Sequence, residues 1–371
     1  MADVTTPLPL AFDLETVPIL RQIGRARTAL GELKGLAESI PNQEILLSTL
    51  ILQEAKESSA IENVVTSHEE LLQARSLPQG QIDPATKEVL RYEEAVRIGF
   101  EAVRAEGLIR NAHVIRIQAA LRGFEEGFRT TPGTVLVNAA TREVVHRPPQ
   151  QPEEVRALMA NLELYLNEDG FDASDPLIKM AVAHHQFESI HPFTDGNGRT
   201  GRILNVLFLV REGLLRLPIL YLSRYIIADK SGYYRHLSRA RRSEEGYRAY
   251  VEWMLRGVEV TALETIRIIE RLRDLMRTYK RDIRALGGKI YSQDLLNLLF
   301  RYPYTTTELI MDGLDVSRPT ATKYLKRLAE AGLLDSRQHG RRVIYLNEPL
   351  FDLMSRRVEY PQVETVESVS I

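Results

Sequence analysis

Cysteine is absent from the 371 residues and tryptophan occurs once. The first absence excludes disulfides, thiolate metal centres and a cysteine nucleophile. No apolar run approaches the roughly 20 residues of a membrane-spanning helix, so no membrane partner is expected. An excess of either charge is also missing: 48 basic residues face 50 acidic ones, a net charge of −2. Whole-molecule attraction to nucleic acid is thereby excluded, and any such contact has to come from a local patch. The opening Met1-Ala-Asp-Val-Thr-Thr-Pro-Leu-Pro-Leu10 lacks the basic head and apolar core of a secretion signal. The expectation is a cytoplasmic protein of two or three domains.

What is present reads mostly as helix. Residues 43–57 carry a helical stripe of Ile45, Leu46, Leu50, Ile51 and Leu52, and Ser67-His-Glu-Glu70 spells a capping box. Amphipathic patterns follow over 85–106, 112–122 and 153–168. Another helix is expected from Asp175 to Ile190, stopped by Pro192, and a very apolar one after it, Ile203–Val210. Residues 131–149 break the pattern and predict a β-hairpin, Thr134–Asn138 with Glu143–Arg147. A charged helix over 263–285 reads as a connector. Beyond it, 286–350 look like a separate module: helices ending at Phe300, capped by Thr305-Thr-Thr-Glu308 and opened by Ser317-Arg-Pro-Thr320, then a ribbon over Ser336–Leu346 turning at His339-Gly340. Residues 317–346 hold seven Lys or Arg against two acids.

The chemistry concentrates in His191-Pro-Phe-Thr-Asp-Gly-Asn-Gly-Arg-Thr-Gly-Arg202. Gly196 and Gly198 let backbone N–H groups turn inward as an anion nest, and a helix expected to begin near Arg199 points its positive end at the same place. Asp195 suits a hard divalent cation, and His191 has the ordinary pKa of a base near neutrality. Arg199 and Arg202, three apart, share a helix face although cations are unfavourable at a helix start. Thr200 and Gly201 serve through size and backbone. His184 and His185 lie side by side, point apart on a helix and read as structural.

These twelve residues resemble the Fic family signature, HxFx(D/E)GNGRxxR, at every fixed position. The resemblance covers most of residues 1–260. It implies a mainly α protein: a Fic-type helical bundle with the hairpin as a flap, to which the element order of 286–350 adds a C-terminal winged helix-turn-helix. The divisions expected are 1–110 with an inhibitory helix, 111–260 as catalytic core, 261–285 as connector, 286–350 as winged helix and 351–371 as tail. The implied activity is transfer of AMP from ATP to a Ser, Thr or Tyr hydroxyl of a protein, self-modification and reversal included. Mg²⁺, or Mn²⁺ in its place, would sit on Asp195. Asn197 with Gly196 and Gly198 would cradle α- and β-phosphates, Arg199 the β- and Arg202 the γ-phosphate, and His191 would take the hydroxyl proton. Ser58-Ser-Ala-Ile-Glu62-Asn63 fits the family's inhibitory pattern (S/T)xxxE(G/N), which implies that Glu62 pairs with Arg202. Tyr234 of the Tyr233-Tyr234 pair would meet adenine, and Arg241 stands where some relatives have asparagine. Left open are transfer of UMP, GMP or phosphate, a homodimer, and docking of DNA or protein on 286–350. An alternative of another class is a nucleotide-sensing, DNA-binding transcriptional regulator.

Overall fold

The computed structural model describes residues 5–74, 82–137, 142–339 and 342–355. The hairpin turn from Asn138, the wing tip at Gly340 and residues 356–371 lie outside them. The order is α1 (Val17–Ala37), α2 (Gln43–Ile61), α3 (His68–Ala74), α4 (Pro84–Glu106), α5 (Asn111–Arg122), β1 (Leu136–Val137), β2 (Val144–His146), α6 (Pro152–Asn167), α7 (Pro176–Ile190), α8 (Asn197–Arg211), α9 (Leu222–Ala228), α10 (Lys230–Ala240) and α11 (Glu244–Ala285). Then come α12 (Gln293–Arg301), β3 (Tyr304–Thr305), α13 (Thr307–Leu314), α14 (Arg318–Glu330), β4 (Asp335–His339), β5 (Arg342–Leu346) and α15 (Glu348–Ser355). The protein is mainly α, as the sequence predicts.

Helix starts follow local chemistry. Asp83, Asp175, Ser243, Ser292 and Thr306 each accept a hydrogen bond from a first-turn N–H of the helix that follows. The Ser67–Glu70 box closes in both directions, at 2.8 and 3.1 Å. Helices α7 and α8 are buried on nearly every side, in keeping with their apolar sequences. They form the central pair: α6 and α11 pack on α7, and α4 and α5 on α8. Helix α2 lies against α4, α8 and α9, while α1 runs along α11.

Three boundaries move. The charged stretch 263–285 is no separate connector: α11 runs unbroken for 42 residues. Val258, Ala262, Ile269, Leu272, Met276 and Ile283 extend its buried stripe from the core into the module. The tail starts later than 351, because α15 continues to Ser355 with Leu350 and Met354 buried. The hairpin strands are shorter than expected, Leu136 pairing with His146 and Val137 with Val144 across a bulge. In the C-terminal module the sheet order is β3-β5-β4, all antiparallel, behind α12–α14. It docks on the rest through α12 against α2 and α15 against α11. No helix among the described residues is long and apolar enough to cross a membrane.

Candidate active site

The site forms where α7 stops. His191 takes the left-handed conformation (φ 49°, ψ 60°), a costly one for a residue with a Cβ. Arg129 stabilises it. Its main-chain N–H donates to Pro192 O at 2.8 Å, its Nε to His191 O at 2.9 Å, and its Nη2 to Ile190 O at 3.3 Å and to Pro149 O. Burial and this neighbouring guanidinium push the His191 imidazole down to about 4. The ring is therefore neutral through the physiological range, well below the near-neutral titration its residue type suggests. The flap is fastened to the same place, His146 Nε2 lying 2.8 Å from Ser189 O.

The loop then folds on Asn197. Its side chain accepts from Phe193 N at 2.9 Å and donates to Phe193 O at 2.8 Å. The Asn197 amide thus braces the loop, while its main-chain N–H lies in the first turn of α8, where no helical acceptor exists. Gly196, left-handed at φ 82°, is the N-cap, so α8 begins at Asn197, two residues before the expected start. The N–H groups of its first turn converge with the positive end of α8. Asp195 Oδ1 accepts from Gly196 N at 2.6 Å, and Oδ2 pairs with Arg122.

Both motif arginines are buried, at 2% exposure each. Their counter-ions come from other helices. Arg202 Nε donates to Ser58 Oγ and Nη2 to Ser58 O, both at 2.9 Å, and Nη2 also to Glu62 Oε1 at 2.8 Å. Arg199 Nη1 pairs with Glu88 of α4. Burial opposes the charge on Glu62, but Arg202, Arg199 and Lys230 outweigh it and hold the carboxyl below its ordinary value. A methyl group on Gly198 would overlap Glu62 Oε1, so the carboxylate rests directly on the start of α8. The end of α2 is fixed by Asn63, at φ 64°, whose Oδ1 accepts from Lys230 Nζ at 3.0 Å. The sixth place of the inhibitory pattern thus needs glycine or asparagine, the residues that tolerate this backbone.

Thr200 is fully buried, and a Cβ on Gly201 would come within 3.1 Å of Glu188 Oε1 and of Phe187. Tyr234 is exposed and feels the charges of Glu62 and Arg202, whereas Tyr233 is buried and bonds His184 at 2.8 Å. Arg241 donates to Ser189 Oγ at 3.2 Å. His184 also meets Asn205 at 3.1 Å, so its nitrogens are occupied within the core. Sequence reasoning missed Arg129, Glu88, Arg122, Lys230 and Glu188. None stands in a local pattern: each reaches the motif or the end of α2 from another part of the chain, except Glu188, a carboxyl hidden in an apolar run.

A divalent cation fits here in one way. No group of three His, Asp or Glu able to hold a metal occurs among the described residues. Asp195 alone, its side chain 53% exposed, suits an ion that arrives with phosphate oxygens and water as its other ligands.

Three family models match in succession: Fic/DOC family N-terminal over residues 20–101, Fic/DOC family over 108–209, and the protein adenylyltransferase SoFic-like C-terminal domain over 275–350. Protein adenylyltransferase fic-1 of Caenorhabditis briggsae is 43% identical over 65 residues, 18% of this chain and 13% of that protein. Protein adenylyltransferase Fic of Drosophila erecta is 41% identical over 68 residues, 18% of this chain and 14% of that one. The match thus spans about an eighth of these relatives' length. Among solved structures, a Fic family protein from Desulfovibrio desulfuricans G20 superposes with a TM-score of 0.55 at 22% identity, over 92% of this chain and 98% of that one. A Fic domain containing signaling protein from Bacteroides thetaiotaomicron VPI-5482 gives 0.53 at 18%, over 66% and 96%. The motif, the helical frame around it and the three matched segments together establish that the chain belongs to the Fic/DOC family.

Proposed function

We propose that the protein transfers AMP from ATP to a hydroxyl group of a protein and is held at rest by its own Glu62. The observation that carries this reading is the Glu62 carboxylate on Arg202 Nη2 at 2.8 Å, the place a terminal phosphate oxygen would take. With Glu62 withdrawn, Arg202 and Arg199 hold the γ- and β-phosphates, and the N–H groups of Asn197 and Gly198 face the α/β oxygens, while that of Gly196 is taken by Asp195. Tyr234 lies against adenine, and the flap strands offer main-chain partners to the target segment. The neutral His191 accepts the proton as the hydroxyl oxygen bonds the α-phosphorus and the α–β bridging oxygen departs with pyrophosphate. A magnesium ion held by Asp195 would supply charge neutralisation to the phosphates, with Mn²⁺ as a substitute.

The test is AMP incorporation from labelled ATP, read by mass spectrometry with self-modification included. Glu62→Gly raises incorporation well above the unchanged protein, and His191→Ala in that background removes it. Equal labelling of the two variants under varied metal defeats the reading. The C-terminal module supports an accessory role as a winged helix. Its α14 packs mainly on α13, leaving Lys323 and Lys326 exposed. Duplex binding that weakens steeply with salt would make the partner DNA, and a flat response a protein. The reading as a nucleotide-sensing regulator is the weaker one, since it gives His191 no task.

A further inference from the structure

The two motif arginines are held in opposite ways. Arg202 has its Nε and Nη2 edge filled from α2, by Ser58 and Glu62. Arg199 is held at the other end, by Glu88 on Nη1. Its Nε is buried with no hydrogen-bond partner among the described residues, and its Nη2 lies 4.0 Å from Asp195 Oδ1. Asp195 belongs to the motif loop, so the vacant edge of Arg199 looks toward that loop. An unpaired donor in a buried site is costly unless a ligand completes it, and a planar Nε/Nη2 edge matches two oxygens of one phosphate.

We propose that Glu88 is the positioning residue of the β-phosphate subsite, and that this subsite stands ready while Glu62 closes the next one. The inference rests on the function proposed above. Glu88 lies on α4, which packs on α8, and engages one nitrogen of a guanidinium that is 2% exposed. It thereby neutralises the arginine at rest and fixes its plane, while sparing the edge a phosphate takes. Two consequences separate this from simple structural support. The unchanged, self-inhibited protein binds a nucleoside diphosphate, because the diphosphate does not need Arg202. Weakening Glu88 harms diphosphate binding and spares the monophosphate, which lacks the atom that Arg199 meets.

The experiment is calorimetric titration of the full chain with ADP and with AMP, alongside melting temperatures. In the unchanged protein ADP binds more tightly than AMP, and Glu62→Gly leaves the ADP affinity within a few-fold. In Glu88→Gln the ADP affinity falls by about tenfold or more, the size of a lost charge-assisted contact, AMP affinity is retained and Glu88→Asp recovers part of the loss. An equal loss for both nucleotides, or no loss for ADP, overturns the proposal. If Glu88→Gln does not fold, Arg199→Lys takes its place. That variant keeps the charge without the fork and has to show the same ADP-selective loss, and an unchanged ADP-to-AMP ratio overturns the proposal. Binding of neither nucleotide by the unchanged protein or by Glu62→Gly would instead sink the nucleotide reading itself.

Discussion

At the scale of single residues, the surroundings of a side chain decide its chemistry more than its type does. His191 illustrates this: burial and Arg129 move its titration to about 4. The Glu62 charge works in the opposite direction, so its removal lowers the value further. In Glu62→Gly, kcat/KM for AMP transfer therefore holds its plateau from neutrality down to about pH 5. A loss of half the rate near pH 6.5, the ordinary histidine value, would contradict this placement of the ring. Glu188 behaves in the reverse sense. Burial raises its carboxyl to about 7, against the opposing pull of Arg202. A group whose folded pKa exceeds its ordinary one stabilises below the ordinary value, and that stability is lost as pH rises through the folded one. Glu188→Gln should therefore gain on the unchanged protein between pH 5 and 8, by on the order of 3 kcal/mol, as read from denaturation midpoints. The difference between the two proteins is the measure, because burial raises Glu54 to about 7 as well. Midpoints that stay parallel across this range would refute it.

At the scale of elements, α2 is fixed along its whole length. Gln53 donates to Met354 O at 2.9 Å and accepts from Tyr221 at 2.8 Å. Glu54 accepts from Ser223 N at 3.2 Å, and the end is pinned by Asn63 and Lys230. Asn63→Ala puts a side chain that resists left-handed backbone at that end, costing about 1 kcal/mol. It also frees Lys230, so basal labelling by the otherwise unchanged protein rises several-fold. Asn63→Gly keeps the turn and shows the smaller rise, and equal labelling of all three would contradict the account. The same elements show what a sequence displays. The helices, the motif loop and the Glu62–Arg202 pairing were legible, because a periodic stripe or a fixed spacing carries each. The bracing role of Asn197 is hidden, because the Gly-Asn-Gly run does not reveal that the amide closes the loop on Phe193. The counter-ions Glu88 and Arg122 and the staple Arg129 were invisible, because ordinary charged positions on helices and loops acquire meaning only when those segments meet. The 42-residue span of α11 is hidden because its charged face masks the apolar stripe behind it.

At the scale of the molecule, the C-terminal module is built into the rest. It shares α11, rests α12 on α2 and ends with α15 against α11. Calorimetry of the full chain should accordingly show one cooperative transition with calorimetric and van't Hoff enthalpies in agreement. A separate melting step assigned to residues 286–350 by limited proteolysis would contradict it. The length of α11 has one more consequence. At about 1.5 Å and 100° per residue, its 42 residues form a shaft of about 63 Å whose two ends are geared to each other. Deleting one residue midway would swing the far end by more than a quarter of a circle, carrying Met354 away from Gln53. Deleting seven, nearly two full turns, would almost restore the angle but not the distance. A change in the length of this shaft is therefore tolerated only in steps that keep both ends in phase.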